Sequence, residues 1–266
     1  MKKPLILVTN DDGITAPGIR ALVEVARQVG EVVVVAPDSP QSGMGHAITI
    51  ADPIRLHKSK AFDDFNIESY ECSGTPVDCV KLAKNVVFKD RHIDLCLSGV
   101  NHGSNASINI IYSGTLSAAM EASLEGIPSI GLSLLDYSYS ANFESSKPYV
   151  QHLIAYILEN GLEQGSLLNV NIPDLPGDQI KGMKVCRQAD ARWEEEFQES
   201  IDPRGQKYYW LTGHFVNNDS GEDTDIWALE NGYISVVPSN HDLTNYRAME
   251  NLSPLEKLST PQKENV

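Results

Sequence analysis

Basic residues are scarce in this chain: 21 Lys and Arg stand against 36 Asp and Glu over 266 residues, a formal net charge of −15. Tracking a nucleic-acid backbone needs clustered cations that displace counterions, so the balance argues against a nucleic-acid polymer as partner. It also creates a problem for any anionic ligand, which a bound cation would solve. No apolar run approaches the roughly 18 residues of a membrane span, which argues against a membrane partner. Met1-Lys2-Lys3-Pro4 passes straight into Leu5-Ile6-Leu7-Val8, without the longer apolar region and small-residue cleavage site of a secretory signal. Cysteine is sparse as well. Cys72, Cys79, Cys96 and Cys186 lack metal-ligand spacing, and buried reduced thiols in a cytoplasmic protein are their simplest account. Gly-X-Ser-X-Gly, His-Glu-X-X-His and Walker signatures are missing too, which removes three common hydrolytic chemistries.

What is present is a core-forming chain, 41% hydrophobic, in which strand and helix patterns alternate. Leu5 to Val8 reads as a short buried strand. Pro17 suits the first turn of a helix whose apolar face is Ile19, Leu22, Val23, Ala26 and Val29. Gly30 ends that helix, and Glu31-Val32-Val33-Val34-Val35-Ala36 reads as a second buried strand, so the connection is a right-handed crossover in a parallel sheet. After a polar loop, residues 48–56 look β-like. A helix is expected over 77–84, a strand over 93–98, a helix over 113–125 and a strand over 128–134. A helix over 148–158 and a strand over 167–172 complete the alternation. The expected class is α/β, a mostly parallel sheet with helices on both faces. Beyond Pro173 the segments at residues 184–187, 208–211 and 233–237 favour strands. They suggest β-rich additions over about residues 174–250, with a projecting hairpin, attached to a core of about residues 1–173 in a single domain. The tail from about Ser253 reads as frayed.

Ligands of an open parallel sheet bind outside the carboxyl ends of its strands, and three distinctive loops follow strand-like runs. Asn10-Asp11-Asp12-Gly13 sets two carboxylates side by side, an arrangement that calls for a cation or hydrogen bonds to offset repulsion. The same residues also make an ordinary turn. Pro37-Asp38-Ser39-Pro40-Gln41-Ser42-Gly43 offers the Ser42 hydroxyl as a neutral oxygen ligand. Its Gly43-Met44-Gly45 is no dinucleotide fingerprint, because His46-Ala47-Ile48-Thr49-Ile50 reads as strand rather than helix. Ser98-Gly99-Val100-Asn101-His102-Gly103-Ser104-Asn105 offers the Asn101 carbonyl to a cation. Ser113 or Thr115 could cap the following helix, whose free N–H groups favour phosphate. A single histidine in such a loop, His102, is more often structural than catalytic. Oxygen ligands for a hard cation beside hydroxyls and amides for phosphate suit phosphoryl-ester hydrolysis better than acyl transfer.

These segments, with Gly74-Thr75-Pro76-Val77-Asp78-Cys79-Val80 and Tyr112-Ser113-Gly114-Thr115, resemble in type and order the signatures of the SurE family of 5′/3′-nucleotidases. The resemblance runs over roughly residues 4–250 and is strongest in the first half. It implies a Rossmann-like core and one divalent cation per subunit, Mg²⁺ or Mn²⁺, held at Asp11, Asp12, Ser42 and Asn101. It implies a phosphate site that includes Asn105, Ser113 and Thr115, nucleoside monophosphates as substrates, and action on short polyphosphate in some members. A cytoplasmic homodimer or homotetramer with exchanged C-terminal segments is implied as well.

The mechanism expected on this basis is in-line attack of water on phosphorus, with the cation drawing charge from the phosphoryl group and Asp11 or Asp12 as ligand and general base. An aspartyl-phosphate route competes with it. Receiver-type signalling modules and Asp-X-Asp phosphatases also bind cations at a sheet edge. Asp94 sits inside its apolar run, and Asp-Asp-Gly departs from Asp-X-Asp, so neither explains Ser42 and Asn101. Residues 74–80 could line a nucleoside pocket or form a turn into a helix, and no aromatic residue can be assigned to base stacking.

Overall fold

β1 (Leu5–Thr9) is buried along its whole length, as befits a strand covered on both faces. The computed structural model that shows this describes residues 3–138 and 140–257. α1 (Pro17–Val29) starts with proline in its first turn and turns Ile19, Leu22, Val23 and Ala26 inward. β2 (Glu31–Pro37) follows, buried after its first residue. Next come β3 (Leu56–Lys58), β4 (Glu68–Cys72), α2 (Pro76–Leu82) and β5 (Leu95–His102). The alternation continues with α3 (Gly114–Leu124), β6 (Ser129–Leu134), α4 (Lys147–Asn160) and β7 (Ser166–Ile172). The remainder is β8 (Met183–Val185), β9 (Ala191–Ile201), β10 (Lys207–Asn217), α5 (Asp225–Glu230), β11 (Ile234–Asn240) and α6 (Tyr246–Leu252).

Among the described residues one sheet runs in the order β3-β4-β2-β1-β5-β6-β7-β11-β8, and β9 and β10 form a separate antiparallel hairpin. Every pairing from β4 across to β7 is parallel. β3 and β11 add antiparallel at the flanks. α1 and α4 pack together over one face, α2 and α3 over the other. The two largest apolar clusters lie around Ile6, Leu22, Leu97 and Ile154, and around Leu7, Val35, Val80 and Ala118. The expected α/β class is the observed one. From β1 the chain builds to one side through β2 and β4, then crosses to β5 on the other side. Outside the carboxyl ends of β1 and β5 the two halves part, and a crevice opens there.

Two expectations need correction. Residues 48–50 form no strand. The Thr49 N–H and hydroxyl donate instead to Asp78 at 3.2 and 2.6 Å, and Ile50 is left 82% exposed. The strand expected over 93–98 begins at Leu95 and runs on to His102, so Asn101 lies on a strand end rather than in a loop. Past residue 173 the expected strands and hairpin are present, with α5 and α6 among them, and β11 and β8 extend the main sheet. Ser253–Lys257 makes a short 3₁₀ turn, while the rest of the tail expected to fray lies outside the described residues. All four cysteines are free and buried. Among the described residues no helix is long and apolar enough to cross a membrane.

Candidate active site

β1 ends at Thr9, and the chain turns at once through Asn10, whose side-chain N–H₂ donates to the Gly13 carbonyl at 2.9 Å. That turn holds Asp11 and Asp12 at the mouth of the crevice. The β2 loop is tied beneath them, with Gln41 N–H donating to the Asp11 carbonyl at 2.7 Å and Ile14 N–H to the Pro37 carbonyl at 2.8 Å. Across the crevice, β5 slips register against β6 between Ser98 and Asn101. Such an irregularity re-aims the side chain that follows it. The Asn101 amide donates to the carbonyls of His102 (3.2 Å) and Gly103 (2.8 Å). Only the N–H₂ end can serve two carbonyls, so the Asn101 carbonyl oxygen is the end left free.

A cavity of about 240 Å³ lies between these elements, and Asp11, Asp12, Ser42, Asn101, Asn105 and Ser113 all line it. No Lys or Arg is among its lining residues. Asp11 is only 4% exposed, and burial pushes its carboxyl up to about 6; the Thr115 hydrogen bond opposes that rise and the charge of Asp12 adds to it. Burial also raises Asp12, against a hydrogen bond from the His102 N–H at 3.3 Å. Two carboxylates so destabilised as anions would be relieved by a cation. No group of three or more His, Cys, Asp and Glu side chains gathers among the described residues. A cation here would therefore depend on the neutral oxygens of Ser42 and Asn101 beside the two carboxylates. Oxygen-only donors fit a hard divalent ion.

The start of α3 forms the opposite wall. Ser113 caps it, accepting from Leu116 N–H at 3.0 Å. That bond uses a lone pair and leaves the Ser113 O–H free to donate into the cavity. Gly114 is required by close approach: a Cβ there would sit 2.7 Å from the Asp11 Cβ. Thr115 departs from the sequence-based expectation of a phosphate contact. It is fully buried, outside the cavity lining, and its hydroxyl donates to Asp11. Its role in the geometry is to orient that carboxylate.

Asn105 is held by residues the sequence reading missed. Its N–H donates to Asn171 Oδ1 and its side-chain amide to Ser133 Oγ, both at 2.8 Å. Asn169 donates to the Asn105 carbonyl at 2.8 Å and accepts from Asn171 at 2.9 Å. The signal was available: Asn169-Val170-Asn171 places two amides on one face of a strand that is otherwise apolar. A second missed group is Asp225, fully buried, which accepts from the N–H groups of Ser107 (2.7 Å) and Ala189 (3.0 Å). It clamps the loop after β5 to the root of the hairpin. His102 also lines the cavity, with its ring nitrogen bonded to the Ser138 carbonyl at 2.9 Å and its ring edge-on to Phe143. Residues 74–80 are outside the cavity lining and form a capping box, Thr75 with Asp78, that starts α2.

The sequence family described as Survival protein SurE matches residues 6–195. The chain belongs to the SurE family. The "5′-nucleotidase SurE" of Flavobacterium psychrophilum is 59% identical over 253 residues, covering 95% of this chain and 98% of that SurE protein. The "5′-nucleotidase SurE" of Christiangramia forsetii is 60% identical over 252 residues, covering 95% and 96%. The crystal structure of the SurE protein from Aquifex aeolicus superposes with a TM-score of 0.82 at 41% identity, over 95% of this chain and all of that one.

Proposed function

We propose that this protein is a divalent-cation-dependent phosphatase that hydrolyses nucleoside 5′-monophosphates to nucleoside and phosphate. The observation that carries the reading is the cavity itself. Two destabilised carboxylates face the start of α3, and the lining holds no Lys or Arg to meet an anionic ester. Asp11, Asp12, Ser42 and Asn101 would hold Mg²⁺ or Mn²⁺. When bound, such an ion supplies charge neutralisation and Lewis acidity toward phosphoryl oxygen. The protein's own groups do the rest. Thr115 fixes Asp11, and Asp12, the more exposed of the pair, accepts a proton from the attacking water. Ser113 O–H, the second hydrogen of the Asn105 amide and the Gly114 N–H that opens α3 hold the phosphate oxygens. The names of the relatives support the nucleotide substrate.

The proposal extends to nucleoside 3′-monophosphates and short polyphosphate, because none of the groups assigned to phosphate reads the carbon that carries it. It also includes self-association as a homodimer or homotetramer. Tyr208 and Trp210, 41% and 61% exposed on one face of the hairpin, offer an apolar contact for it. The deciding experiment measures phosphate release from a nucleoside monophosphate panel with Mg²⁺, with Mn²⁺ and with chelator, for wild type and Asp12→Asn. Release that needs the ion and is lost in the variant is the expected result. Cation binding without hydrolysis of any phosphoester would overturn the proposal. A phosphoryl-aspartate trapped on Asp11 or Asp12 during turnover would replace direct water attack.

A further inference from the structure

Beside the cavity, and continuous with it, runs a second groove of about 360 Å³ lined by Tyr112, Trp193, Glu195, Leu211, Thr212 and Gly213. Tyr112 and Trp193 belong to both. The groove lies on the face of the hairpin that carries Trp193, Glu195 and Leu211, as the pairings Trp193↔Phe215, Glu195↔Gly213 and Phe197↔Leu211 require. Gly213, at φ +143°, keeps a stretch of its floor as bare backbone: a Cβ there would lie 2.3 Å from the Glu194 carbonyl.

Two large aromatic side chains stand exposed at the junction, Tyr112 at 52% and Trp193 at 43%. Trp193 is nonetheless held in place. Its indole N–H donates to Asn109 Oδ1 at 2.8 Å, and its ring meets the edge of Phe215 with centroids 5.5 Å apart. Its neighbour Ala191 is tied to Ser107 through both backbone groups. An indole fixed by its own N–H, with much of its surface in solvent, is prepared to receive a flat apolar partner at little ordering cost. The opposite flank of the cavity is different. There Asp12, Asp38, Ser42 and Thr15 line a more acidic pocket with one exposed aromatic ring, Tyr137, in place of the Trp193–Tyr112 pair.

We propose that Trp193 and Tyr112 form the platform on which the nucleobase of the substrate stacks, with the groove along the hairpin as the base site. The assignment rests on the phosphatase reading above, and it places the specificity of the enzyme in the hairpin and its chemistry at the sheet edge. Stacking tolerates every base and grows with ring area, so purine nucleotides are preferred over pyrimidine nucleotides without strict selection.

The test compares kcat/KM on adenosine 5′-monophosphate with kcat/KM on ribose 5-phosphate, which has the same phosphate and sugar and no base. Wild type should favour the nucleotide. Trp193→Ala should lower the ratio of the two by roughly tenfold to a hundredfold, mainly through KM on the nucleotide, while Trp193→Phe keeps most of it. An equal fall on both substrates in Trp193→Ala, or a changed molecular mass by light scattering with the ratio intact, would overturn the platform and make the groove structural or a subunit contact. Equal use of both substrates by wild type would overturn it while leaving the phosphatase reading standing. Release from neither would remove both.

Discussion

The crevice at the ends of β1 and β5 and the hairpin β9–β10 depart from ordinary burial in opposite directions. In the crevice, polar groups are buried: Asp11, Asn105, Ser113, Thr115, Asn169 and Asn171 are all below one-tenth exposed. In the hairpin, apolar groups are exposed: Phe197, Trp210 and Leu211 are each more than half in solvent. Buried polar groups are tolerable only when paired, and most of those in the crevice are, through the Asn105–Ser133–Asn169–Asn171 chain and the Thr115–Asp11 bond. Among the described residues nothing comparable covers the exposed apolar groups. The crevice is thus strained by charge that an ion would relieve, and the hairpin by surface that a ligand or a second copy would cover. Asp225 joins the two regions.

The contrast can be broken experimentally, starting where the effect is largest. Asp11→Asn should reduce turnover on a nucleoside monophosphate by at least about a hundredfold, because it removes a carboxylate proposed to hold the cation, yet it should not destabilise the fold. Thermal melting in chelator at pH 8 should show an unchanged or higher midpoint than wild type, and a large drop would mean that Asp11 is structural. Thr115→Val keeps the volume and removes the hydroxyl that orients Asp11. A loss of about tenfold to a hundredfold in kcat/KM is expected, with little change in melting, measured by phosphate release.

The third prediction concerns pH. Asp11 has its carboxyl raised from 3.8 to about 6 in the folded protein, so the native state holds the proton more tightly than the unfolded chain does. The associated stability is fully present below about pH 4 and is lost as pH rises through about 6. Melting in chelator should therefore fall across that window, and Asp11→Asn should flatten the dependence.

Asp225→Ala leaves the Ser107 and Ala189 N–H groups unpaired. It should cost about 2 kcal/mol or more in denaturant unfolding and loosen the hairpin before the sheet. Smallest is Trp210→Ser on the outer hairpin face: turnover should change less than about twofold while sedimentation shows weaker self-association. Loss of turnover there would end the separation between the two regions.

Much of the sheet was legible because its signals are local. Apolar runs such as Leu5 to Val8 and Val32 to Ala36 can only be buried strands, and Pro17 and Gly30 punctuate the helix between them whatever surrounds it. The meeting of Asp11, Asp12, Ser42 and Asn101 was also legible, since strand ends of a parallel sheet converge by topology, and the motifs follow strands. What local chemistry could not say is which way a side chain faces once it arrives. Thr115 belongs to the right loop, but its hydroxyl turns inward to Asp11 because α3 approaches so closely at Gly114. Residues 48–50 have a strand pattern and form none: Thr49 is bonded instead to Asp78 in the first turn of α2. Trp193, Ser133, Asn171 and Asp225 lie between 20 and 120 residues from the segments they serve, and no spacing rule connects them. Residue types and their periods determine the elements and the chemistry they can carry. Which residues share a cavity, and which are spent supporting it, is set by packing between elements distant in the chain, because hydrogen bonds and van der Waals contacts act only over a few ångströms of space.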